Sequence, residues 1–147
     1  MSVSGLISQI LTDKTSDIWS IAPDASVYDA IEMMAEKNAG ALLVMEGEKL
    51  AGIISERDYS RKVILQGKSS KKTPVSEIMT TDPNTTVLGD TVEKCLRMMT
   101  GKRVRHIPVL DNGKVVGIVS IGDLVKWVIS AQESTINHLE NYISGGY

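Results

Sequence analysis

The phrase GIISERD at residues 52–58 returns as GIVSIGD at residues 117–123, 65 positions later. The correspondence continues at the same offset without a gap. Ser26-Val27 aligns with Thr91-Val92, Met33-Met34 with Met98-Met99, Val44 with Val109 and Val63-Ile64 with Val128-Ile129. A hydrophobic pattern duplicated at a constant offset restricts the chain to two copies of one supersecondary unit.

Each copy reads the same way. ASVYDAIEMMAEKN carries Val27, Ala30, Ile31, Met34 and Ala35 at helical spacing behind Ser26 as N-cap. Val92, Cys95, Leu96 and Met99 repeat that stripe behind Thr91. The short apolar runs ALLVME and HIPVLD follow, then a Gly-containing turn (GEK, NGK), then LAGII and VVGIV as the second strand of a hairpin. ERDYSRKVILQ and GDLVKWVISAQ close the units as helices, and the extended segments DIWSI and NTTVL open them. The expectation is an α/β (α+β) fold of two strand–helix–strand–strand–helix repeats. One copy exposes too much apolar sheet to stand alone, so the two are expected to pack with pseudo-two-fold symmetry.

The first repeat is placed at residues 7–66, a polar linker containing GKSSKKT at 67–74, and the second repeat at 75–130, with VSEIMT leading into it. A tail helix is expected at 131–147, with Ile136, Leu139 and Ile143 on one face. This tail and the N-terminal SGLISQIL are both suited to covering a core or docking a second subunit.

Composition removes several classes of function. The formal net charge is −2 and the pI about 5.7, so no basic field addresses nucleic acid. Phenylalanine is absent and aromatics are 4%, which argues against a stacking platform and requires an aliphatic, Met-rich core. The single cysteine, Cys95, excludes an intramolecular disulfide framework and a cysteine-based zinc site. No stretch approaches the ~20 apolar residues of a membrane span, and the N-terminus lacks the pattern of a secretion signal. A soluble, cytoplasmic protein in a reducing setting is the expectation.

With the unit duplicated and a G-h-h-S-x-x-D phrase in each copy, the chain resembles a tandem pair of CBS domains, or Bateman module. These are the regulatory modules first described in cystathionine β-synthase. The resemblance covers residues 7–130, and GIISERDYSRKVILQG, EIMT, RHIPV and GIVSIGDLVK resemble the small stand-alone CBS-pair proteins of bacteria and organelles. It implies two related clefts between the repeats, frequent homodimers, and binding of adenosine-containing ligands.

Ribose offers two adjacent hydroxyl donors, and an ionised carboxylate accepts from both. The resemblance gives this role to Asp58 and Asp123, with Ser55 and Ser120 adding a hydroxyl near ribose or phosphate. A helix beginning after each serine also presents N–H groups and a positive dipole end to an anion. The same Ser-x-x-Asp spacing is close to that of a capping box. A single occurrence favours capping, whereas duplication inside the CBS pattern favours binding, and a carboxylate has acceptor capacity for both.

Arg105 and His106 precede IPV, a position that borders a cleft in the family, where basic side chains meet phosphate. The alternative is an exposed pair on a turn. Their counterparts are Gly40 and Ala41, so the two clefts are unlike. The family's crossed arrangement implies Ser120, Asp123, Arg105 and His106 facing the backbone of Ala39, Gly40 and Ala41, where small residues admit an adenine ring. It likewise implies Ser55, Arg57 and Asp58 facing the edge from Val104 to His106. Pro108 matches the family's apolar–proline phrase, and its counterpart Leu43 departs from it. Arg57, opposite Gly122 in the alignment, either meets phosphate or is solvated on the first helical turn. Lys14 is either a phosphate contact or a free surface lysine.

No GxGxxG or GxxxxGK[ST] phosphate loop occurs, and His106 and His138 are the only histidines, so no His-rich metal site is expected. Cys95 lies on an apolar helical stripe, where a buried thiol is the default. No nucleophile–base set is evident. The resemblance therefore implies a non-catalytic sensor of energy state or signal transduction. It binds AMP, ADP, ATP or NAD(H), requires no further cofactor, and acts on an unknown regulated protein or through its dimer. The rival is a ligand-independent interaction scaffold in which the Ser-x-x-Asp phrases only cap helices.

Overall fold

The computed structural model describes residues 5–13 and 18–144, and Lys14 lies outside them. The element order is α1 (Ile7–Asp13), β1 (Ser20–Ile21), α2 (Val27–Lys37), β2 (Ala41–Glu46), β3 (Lys49–Ser55) and a single turn α3 (Glu56–Tyr59). A π-helical turn (Ser60–Ile64), α4 (Val75–Ile78) and β4 (Thr80–Thr81) complete the first half. The second half runs β5 (Thr86–Val87), α5 (Val92–Lys102), β6 (His106–Asp111), β7 (Lys114–Ser120) and α6 (Ile121–Ser144). The expected strand–helix–strand–strand–helix order is present twice, in a mixed α+β fold.

Two sheets form, one in the order β1-β2-β3-β4 and one in the order β5-β6-β7. β1 joins β2 in parallel, and β2 and β3 make an antiparallel hairpin with a bulge after Val44. In the second hairpin Asn112 and Gly113 both take positive φ (51° and 79°), the conformation a tight type I′ turn needs. The chain divides into two compact units. One holds β1 through Thr86 together with Pro108–Ile118, and the other holds α1, Val87–Ile107 and the chain from Val119 onward.

The core of the first unit is aliphatic, as an aromatic-poor sequence requires. Ile21, Val27, Ala30, Met34, Leu42, Val44, Ile54, Val63, Val75 and Ile78 form one buried cluster. In the other unit Ile7, Ile10, Val92, Cys95, Met99, Val119 and Leu124 are all buried. Each fully buried Val, Leu, Ile or Met contributes roughly 1.5–3 kcal/mol relative to exposure. The caps are those the sequence predicts, and so are the helical stripes except that Ala35 is exposed. Ser26 Oγ accepts from the Asp29 N–H at 3.1 Å, and Thr91 Oγ1 from the Lys94 N–H at 3.0 Å. The C-caps also correspond, Asn38 and Arg103 both being left-handed with φ of 53° and 54°.

The segments that precede the two repeats are exchanged. The N–H of Val75 donates to the Ala25 carbonyl at 2.8 Å, and that of Val27 to the Thr73 carbonyl at 2.9 Å. The linker segment therefore straps the start of α2, in the first repeat. Correspondingly, the Ile7 N–H donates to the Asp90 carbonyl at 2.9 Å and the Val92 N–H to the Gly5 carbonyl at 3.0 Å, so the N-terminal segment straps α5, in the second. VSEI at 75–78 and ISQI at 7–10 are counterparts, each burying two apolar residues one turn apart. Within SGLISQIL, Ile7 and Ile10 thus cover a core, Ser4 lying outside the described residues, and VSEIMT, expected to lead into the second repeat, packs on the first. Its strand β4 pairs with β3 at Gly52↔Thr81 and Ile53↔Thr80. Gly52 permits this approach, since a Cβ there would lie 2.5 Å from the Thr80 carbonyl oxygen.

Two helices differ from expectation. The helix after β3 is one α-turn followed by a wide turn, with the Leu65 N–H donating to the Ser60 carbonyl at 3.2 Å, and it is over by Gly67 (φ 68°). Of the separate tail helix expected at 131–147, residues 131–144 are instead the continuation of α6, a single helix of 24 residues, and 145–147 lie outside the described residues. No Gly or Pro stands between Asp123 and Ser144 to break it.

Candidate functional site

Both repeats build the same turn where the second hairpin strand meets the following helix. Ser55 ends β3 in extended geometry (φ −126°, ψ 165°) and becomes the N-cap of α3. Its N–H donates to Asp58 Oδ2 at 2.9 Å, and its Oγ accepts from the Asp58 N–H at 3.2 Å. The second repeat copies this at Ser120 and Asp123, with distances of 2.8 and 3.1 Å. These are reciprocal capping boxes, each satisfying two backbone donors that a helix start leaves over. The acids thus turn onto the main chain, as the capping alternative holds.

A second contact repeats with the same offset. The Glu56 N–H donates to the Gly40 carbonyl at 3.1 Å, and the Ile121 N–H to the Arg105 carbonyl at 2.8 Å. The residue before the first hairpin strand is thereby tied to the first helical residue after the second. Within the first repeat this gathers Ala39, Gly40 and Ala41 beside Ser55, Arg57 and Asp58, with Ala41 opposite Ser55 in register. Within the second it gathers Val104, Arg105 and His106 beside Ser120 and Asp123.

The two sites are chemically unlike, for a further reason that sequence reading missed. Lys62 Nζ lies 3.2 Å from Asp58 Oδ1 and donates to the Ile78 carbonyl at 3.0 Å. Asp58 therefore has one oxygen on the Ser55 turn and the other on a lysine. The position equivalent to Lys62 is Trp127, so the two turns differ at this place. The i,i+4 spacing of Asp58 and Lys62 was the available signal. Arg57 is half-buried on the first turn of α3, His106 is half-buried at the start of β6, and Arg105 is exposed. Ala41 is buried, while Ala39 and Gly40 are half-buried, and none adds a side chain beyond a methyl group.

Among the described residues no group of three or more His, Cys, Asp and Glu side chains is placed to hold a metal ion. No described helix is long and apolar enough to cross a membrane. Met34 and Met99 are buried core residues, and Cys95 is a buried thiol.

The CBS domain family pattern matches twice, at residues 7–64 and 75–130, which is most of the chain. The chain belongs to the CBS domain family. The CBS domain-containing protein CBSX3, mitochondrial, of Arabidopsis thaliana is 42% identical over 161 aligned positions, covering 100% of this chain and 78% of the plant protein. A solved protein with CBS domains from Burkholderia ambifaria MC40-6 is 49% identical and superimposes with a TM-score of 0.84, over 87% of this chain and 96% of that one. A CBS domain pair solved with 5′-methylthioadenosine and S-adenosyl-L-methionine is 25% identical, with a TM-score of 0.74 over 84% of this chain and 95% of that one. A CBS domain protein of Pyrobaculum aerophilum complexed with AMP shares the fold at 23% identity and a TM-score of 0.72, over 80% and 88% of the two chains. The plant relative is named as mitochondrial, so family membership does not assign the cytoplasmic setting expected from sequence.

Proposed function

We propose that this CBS pair is a regulatory module that binds an adenosine-containing ligand, AMP, ADP, ATP or NAD(H), and transmits occupancy to a partner protein or to its own dimer. The observation that carries the reading is the duplicated Ser-x-x-Asp turn, set in each repeat beside the residue that opens the hairpin. The known adenosine-ligand complexes of two CBS proteins support the ligand class. Asp123 and Asp58 are the ribose candidates of the two repeats. Ser120 supplies a hydroxyl beside Asp123, and Arg105 and His106 supply the basic groups suited to phosphate. Ser55, Asp58 and Arg57 form the corresponding set of the first repeat, and Ala39, Gly40 and Ala41 offer backbone that an adenine ring can approach. The ligand biases the partner only through its differential affinity for two states of the module. No catalytic step is proposed.

A thermal-shift panel of adenine nucleotides tests the reading. A ligand at 100 times its dissociation constant adds about 2.7 kcal/mol, a readily measured rise in Tm. One specific observation favours a second reading, the ligand-independent scaffold: both acids already serve as helix caps. Absence of a shift with every adenine compound selects the scaffold and ends the sensor proposal.

A further inference from the structure

Between Asp58 and Glu77 the chain carries five cations, Arg61, Lys62, Lys68, Lys71 and Lys72, and no carboxylate, although its formal net charge is −2. This charge is not a property of the repeat. At the offset of 65, Lys68, Lys71 and Lys72 are replaced by Glu133, Ile136 and Asn137. The capped turn uses one of the five, since Lys62 is held by Asp58 and the Ile78 carbonyl. Arg61, Lys68, Lys71 and Lys72 are exposed.

The same segment presents apolar side chains. Residues 64–69 are exposed in succession, and Ile64 and Leu65 are 57 and 78% exposed. The backbone is tightly folded here. The Gly67 N–H donates to the Ile64 carbonyl at 3.1 Å and the Lys68 N–H to the Val63 carbonyl at 3.0 Å, which sets Lys68 beside the end of the π-helical turn. The Thr73 N–H donates to the Ser69 carbonyl at 3.0 Å, and the Ser70 carbonyl accepts from the Tyr28 N–H at 3.0 Å, so Lys71 and Lys72 are held on the next turn. Lys71 Nζ lies 5.0 Å from the centre of the exposed Tyr28 ring. Glu77 approaches Lys68 at 4.0 Å with the two side chains 54 and 41% exposed, a pair too open to hold that lysine.

Two adjacent aliphatic side chains gain from leaving water, and the cations beside them attract anions. A surface with anionic groups outermost and hydrocarbon directly beneath satisfies both, and that layering is a leaflet of an anionic bilayer. A nucleic acid would satisfy the cations and leave Ile64 and Leu65 in water. We propose that the segment from Arg61 to Lys72 docks peripherally on a bilayer containing anionic phospholipid. Ile64 and Leu65 enter the headgroup boundary, and Arg61, Lys68, Lys71 and Lys72 meet lipid phosphates. The binding is reversible, because a short apolar contact holds a membrane only in combination with a basic patch. The inference stands apart from the nucleotide reading.

Flotation of the full chain with vesicles tests it. The chain is expected to float with vesicles of equal parts phosphatidylcholine and phosphatidylserine, to stay behind with phosphatidylcholine alone, and to be released as added salt screens the charges. Lys72→Gln and Leu65→Asn, both at exposed positions, are each expected to weaken binding about fivefold with an unchanged circular dichroism spectrum. Lys126→Gln removes the same charge from an exposed position of the second repeat and is expected to leave binding unchanged. The proposal is overturned by a chain that floats with neither vesicle or equally with both, or by equal losses in Lys126→Gln and Lys72→Gln. It is also overturned by a Leu65→Asn variant that floats like the original, the result expected if the cations serve a purely ionic partner such as nucleic acid.

Discussion

Lys62 Nζ stands 3.2 Å from Asp58 Oδ1 and 3.0 Å from the Ile78 carbonyl oxygen, so one ammonium joins the capped turn of the first repeat to the exchanged helix that straps it. Its equivalent in the second repeat is Trp127, and the two otherwise matching Ser–Asp turns differ at this point in charge.

Removing that ammonium is therefore expected to act on the first repeat alone. The Lys62 side chain is 41% exposed, which limits an ion pair of this kind to about 0–1 kcal/mol, with a carbonyl hydrogen bond in addition. Lys62→Met should lower urea stability by roughly 1 kcal/mol. Trp127→Lys should not reproduce an effect at Asp58. Unchanged stability of the Met variant would show that the lysine contributes no net stabilisation.

The carboxylate of Asp123 has two separable duties. Asp123→Ala removes the acceptor of the Ser120 N–H, half of the capping box, and is expected to cost ~1 kcal/mol of stability. It should also weaken adenosine-ligand binding by ~1.5–3 kcal/mol through loss of a charge-assisted hydrogen bond. Asp123→Asn keeps an acceptor for the Ser120 N–H, so most stability should return while binding stays weak. Calorimetric titration of both folded variants checks this, and undiminished affinity in the Ala variant would remove the ribose role.

Gly52 is required by contact rather than by dihedral. A methyl group there would meet the Thr80 carbonyl at 2.5 Å and Met79 Sδ at 3.0 Å, and the carbonyl belongs to a paired strand that cannot yield freely. Gly52→Ala should cost ~1–3 kcal/mol, the range for overpacking, in chemical denaturation. Gly47→Ala, with nothing within 4 Å of the added carbon, meets only its positive φ of 60° and should cost less, about 1 kcal/mol.

The exchange of the leading segments makes a prediction about distance along the chain. Ile7 is completely buried in the unit that contains α5. Ile7→Ala should lose about 2–5 kcal/mol, like any buried Ile→Ala change. Hydrogen exchange should quicken first at amides of α5, including Val92, whose N–H is held by the Gly5 carbonyl. Faster exchange confined to α2 would contradict the observed packing.

The repeat, its element order, the caps at Ser26 and Thr91, the hairpin turns and the aliphatic core were all legible in residue order. Each rests on interactions within a few positions or on a period of two or 3.6, and the duplication stated every such signal twice. The Ser–Asp turns were equally visible, together with both of their chemical readings. The continuity of α6 was present too, in the absence of any breaker after Asp123, but the repeat boundary at 130 suggested a division that the backbone does not make.

Folding was needed to say which partner each locally competent piece would choose. ISQI and VSEI both announce an apolar turn, yet nothing in their own residues tells that each straps the repeat it does not precede. That choice depends on which helix start offers unpaired N–H and carbonyl groups at the right separation, a relation between segments far apart in the chain. The same holds for Lys62, whose spacing from Asp58 is local, whereas its bond to Ile78 exists only because the exchanged helix arrives there. Patterns set by near neighbours can be read from a string of letters, while contacts closed by long loops depend on the whole chain having packed.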